Sequence, residues 1–193
     1  MKMWIGSAAL VTLLGGCSLG NVAPAPVKLD LGSPVVTEAV VSKMPPISLP
    51  PFSAASVLHD RRVIWRIGAQ GEPKGYATFA WVSPPAQLVR ERLFEKLSMH
   101  GPVLTQDISA DMPQLRVTLM QFEQVYALDG ASNQAVVSLQ AVLIRDGRVQ
   151  GQFRTTQTER ASSNTAPAGA VALRQATDQA ANELVQWVIT KLN

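Results

Sequence analysis

The chain has 193 residues, with 17 Lys and Arg against 14 Asp and Glu, 47% hydrophobic residues and 16% charged ones. That balance excludes a disordered chain, and a formal charge of only +3 with no dense Lys/Arg block, Arg61-Arg62 being the largest adjacent pair, speaks against a nucleic-acid binder. One cysteine and two histidines in the whole chain exclude a disulfide scaffold and leave little for a zinc site.

The amino end carries the strongest local signal. Lys2 supplies a positive start, and Met3 to Leu14 is free of charge. That run has the length of a secretory apolar region and falls short of the roughly 20 residues a bilayer span needs. Leu14-Gly15-Gly16-Cys17 closes it with small residues before the only thiol. These four residues resemble the bacterial lipobox, which implies cleavage before Cys17 and acylation of that residue, palmitate among its chains. Residues 1–16 are thus expected to be a lipoprotein signal peptide and Leu14, Gly15 and Gly16 its recognition residues. Ser18 is not the aspartate that commonly retains lipoproteins in the inner membrane, so the resemblance implies the periplasmic face of the outer membrane. Removing residues 1–16 from 193 leaves 177, enough for one domain with a real core.

Residues 17–26 read as the lipidated terminus and a short tether, "SLGNVAPAP" being small, Pro-containing and uncharged. Residues 27–193 are expected to form a single domain. "VKLDLG" alternates, so Val27, Leu29 and Leu31 could line one strand face, and "PVVTEAVVS" reads as a second strand. "KMPPISLPPF" is proline-punctuated and reads as an edge or connector. Val63–Ile67 and Tyr76–Val82 are strands joined by the turn "GAQGEPKG". A helix then starts with Ser83 as its cap and runs to about Met99, its stripe Ala86, Val89, Leu93 and Leu97, with Arg90, Glu91, Arg92, Glu95 and Lys96 on the other faces.

"QLRVTLMQFEQVYAL" places Leu115, Val117 and Leu119 on one face and Met120, Phe122 and Tyr126 on the other, which predicts a central strand covered on both sides. "QAVVSLQAVLIRDGRVQGQFRTTQT" is a hairpin about Asp146-Gly147. A three-residue loop, Arg145-Asp146-Gly147 with a bulge, pairs Leu139 with Phe153 and Leu143 with Val149, and is favoured because it sets apolar beside apolar. "RASSNTAPAG" reads as a mobile loop, and Ala168–Leu192 as a helix with the stripe Leu173, Ala176, Ala180, Leu184, Trp187 and Val188. The fold class is therefore α/β: a mixed, largely antiparallel sheet of about five to six strands packed with two principal helices.

Candidate chemistry is sparse. His100 sits at a helix end and His59 beside Asp60 in a surface turn. Asp107 and Asp111 flank "ISA" in a polar connector, and Ser162-Ser163-Asn164-Thr165 has hydroxyls without a nearby base. Neither a Walker loop, a G-x-S-x-G elbow nor H-E-x-x-H occurs. Trp65, Trp81 and Trp187 read as core or interface anchors. The expectation is a non-enzyme that needs no cofactor or metal and binds something.

From about residue 45 onward the chain resembles the ABC-type transport auxiliary lipoprotein components, which accompany MCE-domain lipid transporters including the Pqi-type systems. The residues that carry it are "VLHDRRVIWRIG", "GYATFAWVSPPAQLVRERLFEKL", "LRVTLMQFE", "VSLQAVLIRDGRVQGQFRTTQTE" and "ALRQATDQAANELVQWV", in family order. The departure is at the amino end, where the family often has a tyrosine-containing strand and "VKLDLG" has none. The resemblance implies an accessory for docking or assembly whose partners are an MCE-domain protein and an ABC permease/ATPase complex, with self-association left open. The alternative is an interaction lipoprotein of another envelope machine, of the synthase-activator or secretion-pilot type.

Overall fold

The structure, a computed structural model, describes residues 24–33, 44–106 and 111–193. The expected strand in "PVVTEAVVS" and Asp107 lie outside the described residues, as do residues 14–17. Among the described residues nine strands form one mixed sheet: β1 (Val27–Leu29), β2 (Ile47–Ser48), β3 (Ser53–Ala54), β4 (Arg62–Ile67), β5 (Lys74–Trp81), β6 (Val103–Leu104), β7 (Gln114–Tyr126), β8 (Asn133–Arg145) and β9 (Arg148–Arg160). Helix α1 is Pro85–Ser98 and α2 is Ala166–Leu192.

The 13-residue β7 organises the sheet. One edge pairs antiparallel with β8, which pairs antiparallel with β9. The other edge is shared by three short strands that run parallel to it in succession: Ser48 opposite Gln114, Ser53 opposite Thr118, and Trp65 opposite Gln124. Beyond β4 lie β5, antiparallel, and β1, parallel to β5. The sheet is thus six positions wide, its longest ladders antiparallel. The proline-punctuated segment is not at an edge. Its β2 lies between β7 and β6, with Ile47 and Leu49 fully buried, because the prolines fall outside the two residues that pair.

Both helices lie on one face, and the sequence predicts them by their apolar spacing. Ala86, Val89, Leu93 and Leu97 of α1 are buried, as are Leu173, Ala176, Ala180, Leu184 and Val188 of α2. Ser83 is not the cap of α1. Pro84 holds that place with no side-chain bond, and Pro85 opens the helix, where its missing N–H costs nothing. Arg92 does not cover an outer face but is 3% exposed, its Nη2 donating to Leu31 O at 2.7 Å and its Nε 3.3 Å from Asp178. In β1 Leu29 is buried and Val27 is exposed.

Two register features differ from expectation. The first is in β7, where pairing shifts between Leu119 and Gln121, leaving Met120 as a bulge. One extra residue reverses the alternation downstream. Phe122, opposite Val137, therefore faces the same helix-covered side as Leu115, Val117 and Leu119, and packs edge-on to Trp81 at 5.4 Å. The strand is central by pairing, but Leu115, Val117, Leu119 and Phe122 share one face, Val125 being the only apolar residue buried on the other, and Met120 is 46% exposed.

The second is the β8–β9 hairpin. Arg145 pairs with Arg148 across a two-residue turn in which Asp146 and Gly147 both have positive φ, the I′ pattern. The bulge comes afterwards, beside Gln150, so Leu143 faces Gly151, Ala141 faces Phe153 and Leu139 faces Thr155. The three-residue loop is wrong because cross-strand neighbours alone do not set the register. Trp187 of α2 stacks on Phe153 at 5.5 Å and lies over Gly151, where a Cβ would stand 3.3 Å from the indole. A small residue is needed beneath the ring, and the register supplies it.

The connection after β9 is not a free loop. Asn133 donates to Ser163 O and Asn164 Oδ1, Asn164 donates to Gly130 O, and Thr165 caps α2 by accepting from the Ala168 N–H. The helix accordingly begins at Ala166, two residues before the expected start.

Candidate functional site

At one pole of the sheet, β4 ends, β5 begins, β7 turns into β8, and α2 starts. Alternation along β4 puts Trp65 and Ile67 on the helix-side face, and pairing sets Trp65 between Lys74 of β5 and Gln124 of β7. Tyr76 and Tyr126 complete a cluster: Trp65 lies 5.9 Å from the Tyr76 ring and 5.7 Å from that of Tyr126, and Tyr76 lies edge-on to Phe79 at 6.0 Å. Lys74 Nζ stands 5.5 Å over the Trp65 ring. Trp65, Ile67, Tyr76, Tyr126 and Gly130 line an open pocket of about 200 Å³ with almost wholly apolar walls. Ile67 is 45% exposed and Leu128, in the β7–β8 turn above Gly68, is 86% exposed.

Beneath the rings lies a polar support. The Tyr76 and Tyr126 hydroxyls are 2.6 Å apart, and Tyr76 donates to Gln124 Oε1 at 2.9 Å. Gln124 donates in turn to Asn133 Oδ1 at 2.6 Å and Thr165 O at 3.2 Å. Burial, with the Tyr126 hydroxyl adding to it, pushes the Tyr76 hydroxyl well above the usual tyrosine range, so it remains a donor. The network fixes the rings to the start of α2.

Gly169 closes the arrangement, since a Cβ there would collide with the Gln124 amide. Gln124 cannot swing aside without losing bonds to Tyr76 and Asn133. Gly169→Ala is therefore expected to destabilise despite the better helix former. The ~1 kcal/mol of propensity gained is outweighed by an overpacking cost of ~1–3 kcal/mol. Urea unfolding of the two proteins checks the sign.

On the other face of the sheet, Arg66 Nη2 donates to Glu123 Oε2 at 2.7 Å, and Gln121 also donates to Glu123. Arg66 Nη1 bonds Gly71 O at 3.0 Å and holds the β4–β5 turn closed.

The residues weighed from sequence are scattered. His59 is exposed at the end of a short 3₁₀ turn, Ser56–His59. His100 follows α1, its N–H donating to Leu97 O and its carbonyl accepting from Met44 N. Asp111 is exposed, and Ser162–Thr165 serve the α2 connection. Among the described residues no group of three or more His, Cys, Asp or Glu converges. Of the tryptophans, Trp81 is core, Trp187 packs α2 on β9, and Trp65 belongs to the open pocket. Sequence reasoning missed Tyr76 and Tyr126 as its partners. The available signal was that each stands at the strand end nearest Trp65 in the sheet. No helix among the described residues is long and apolar enough to cross a membrane.

Comparison with known proteins agrees with this architecture. A crystal structure of a Xanthomonas campestris protein of family DUF330 superposes with a TM-score of 0.70 at 24% identity, over 87% of this chain and 95% of that one. A crystal structure of an uncharacterized protein gives 0.66 at 16%, over 86% and 99%. At these identities the likeness shows the fold alone. No curated protein matches the sequence. The family model described as ABC-type transport auxiliary lipoprotein component matches residues 29–185, from within β1 to near the end of α2. The chain therefore belongs to the ABC-type transport auxiliary lipoprotein component family.

Proposed function

We propose that the chain is cleaved after Leu14-Gly15-Gly16, acylated on Cys17, and held at the periplasmic face of the outer membrane. There it docks or assembles an MCE-associated ABC lipid transporter without catalysis of its own. The observation that carries the reading is the family match over residues 29–185, which starts close behind Cys17. Family membership makes it an accessory of ABC-type transport, and the lipobox-like residues supply an anchor. Each buried CH₂ contributes ~0.8 kcal/mol, so two or more chains attach a protein stably where one does not. The chemistry is consistent with a docking role: the open pocket at Trp65 is aromatic and apolar, and its hydroxyls are engaged with each other and with Gln124.

The test is affinity purification of the full-length protein from detergent-solubilised envelopes of its own host. An MCE-domain protein, a permease and an ATPase are expected to co-purify. Recovery of the acylated protein with none of the three would overturn the transport assignment. Intact mass of the same sample checks the anchor separately, and Cys17→Ser should abolish the acyl mass.

A further inference from the structure

We propose that the aromatic pole is the face the domain turns to the lipid bilayer, with Trp65, Tyr76, Tyr126, Ile67 and Leu128 seated at the headgroup level. The inference rests on the acylation of Cys17 proposed above and adds an orientation and a contact surface to it.

The entry point of the chain carries the argument. β1 runs parallel to β5, with Val27 opposite Phe79 and Leu29 opposite Trp81, and β5 starts at the pole with Lys74. The polypeptide upstream of Val27 therefore approaches from the pole side. Six residues lie between Cys17 and Pro24, and the seven steps span at most about 25 Å at full extension. The opposite pole, with the Asp146-Gly147 turn, lies a whole β7 length away, about 40 Å for 13 residues at ~3.3 Å each. Val27 joins the sheet five residues in from Lys74, so a tether continuing the line of β1 leads out past the aromatic pole, whereas presenting the far pole to the membrane would require it to double back along the sheet.

The surface at that end suits an interface. Tryptophan concentrates at the membrane–water boundary because its apolar ring and its N–H are each satisfied there, and the two tyrosine rings, whose hydroxyls bond each other and Gln124, add apolar surface beside it. Ile67 and Leu128 are exposed aliphatics beside the rings, and Lys74 can reach anionic headgroups. Glu72 and Asp129 stand in the two turns of the same pole, so the contact is not a basic patch and relies on the aromatic and aliphatic groups. Weak affinity suffices, because a short tether holds the pole at an effective concentration on the order of millimolar.

The test uses the mature, acylated protein in vesicles of phosphatidylethanolamine and phosphatidylglycerol with bromine on the upper acyl carbons, a short-range quencher of indole emission. Wild type, Trp65→Phe and Trp187→Phe are compared. Trp81 is buried and forms the same background in all three. The quenched fraction is expected to disappear in Trp65→Phe and persist in Trp187→Phe, and to fall when Ile67 and Leu128 are both changed to Glu. Quenching that follows Trp187 would put the far pole on the membrane and overturn the proposal. So would the absence of quenching in a protein whose acyl mass is verified, which would leave the anchor intact. Protection of Trp65 only by an added MCE component would make the pole a protein dock and overturn it too. A missing acyl mass would remove the anchor and this orientation together.

Discussion

Deleting Met120 is expected to abolish cooperative folding, whereas Met120→Ala is expected to change stability by less than about 1 kcal/mol. The side chain is nearly half exposed and packs little, so its truncation removes few contacts. The backbone position matters far more. The bulge at Met120 is what sets Phe122, Gln124 and Tyr126 on the same face as Leu115, Val117 and Leu119. Without it, strict alternation sends Phe122 to the outer face and brings Glu123 under the helices, or else the amino-terminal half of the strand is turned over instead. Exposing a core phenylalanine costs about 3–5 kcal/mol, and burying an unpaired carboxylate adds several more. Together they approach the whole stability of a domain, about 5–15 kcal/mol. Urea denaturation followed by tryptophan emission checks this. A cooperative transition within about 2 kcal/mol of Met120→Ala would show that β7 finds its faces without the bulge.

Arg66→Met is the second large effect expected, a loss of about 3 kcal/mol. The Glu123 side chain is 4% exposed and that of Arg66 22%, so the variant strands a buried carboxylate with only Gln121 donating to it. It also frees Gly71 O and loosens the turn beside Lys74. For a domain of this size the expected fall in Tm is roughly 6–12 °C. The cost belongs to the unpaired charge more than to the pair. Glu123 faces Val136 across the ladder, with Val125 beside it in β7, so Arg66→Met combined with Glu123→Leu is expected to recover most of the loss. A double-mutant cycle measures this, and a single-variant loss below about 1 kcal/mol would mean that Glu123 reaches water unaided.

These positions also mark where sequence reading works. Helices α1 and α2 are legible because spacings of three and four residues are a local property, and so is the place of the hairpin, where Asp146-Gly147 announces itself. Bulges are not legible, since they answer to what lies across the sheet. By side-chain type Phe153 suits Leu139, but Trp187, more than thirty residues on, needs Phe153 and Gly151 where they are. Arg92 reads as a solvated charge because nothing near it in sequence reveals Leu31 O or Asp178. The site divides in the same way. Trp65 stands out in a chain poor in aromatics, but its neighbours Tyr76 and Tyr126 are brought to it by the two ladders flanking β4. The resemblance to the family rested on the order of whole elements, which local register errors do not disturb.

The divided edge of β7 has a kinetic consequence. Its pairing with β8 closes across the six residues 127–132, whereas the opposite edge joins Trp65 to Gln124, about sixty residues apart. The entropy of closing the longer loop exceeds that of the shorter by about 2 kcal/mol. The β7–β8–β9 meander should therefore collapse first and act as a template. Residues 47–67, although synthesised earlier, must wait as unpaired extended chain until that template exists. The slow step in reaching the native state is then the return of the amino-terminal third, and destabilising substitutions there should speed unfolding more than they slow folding.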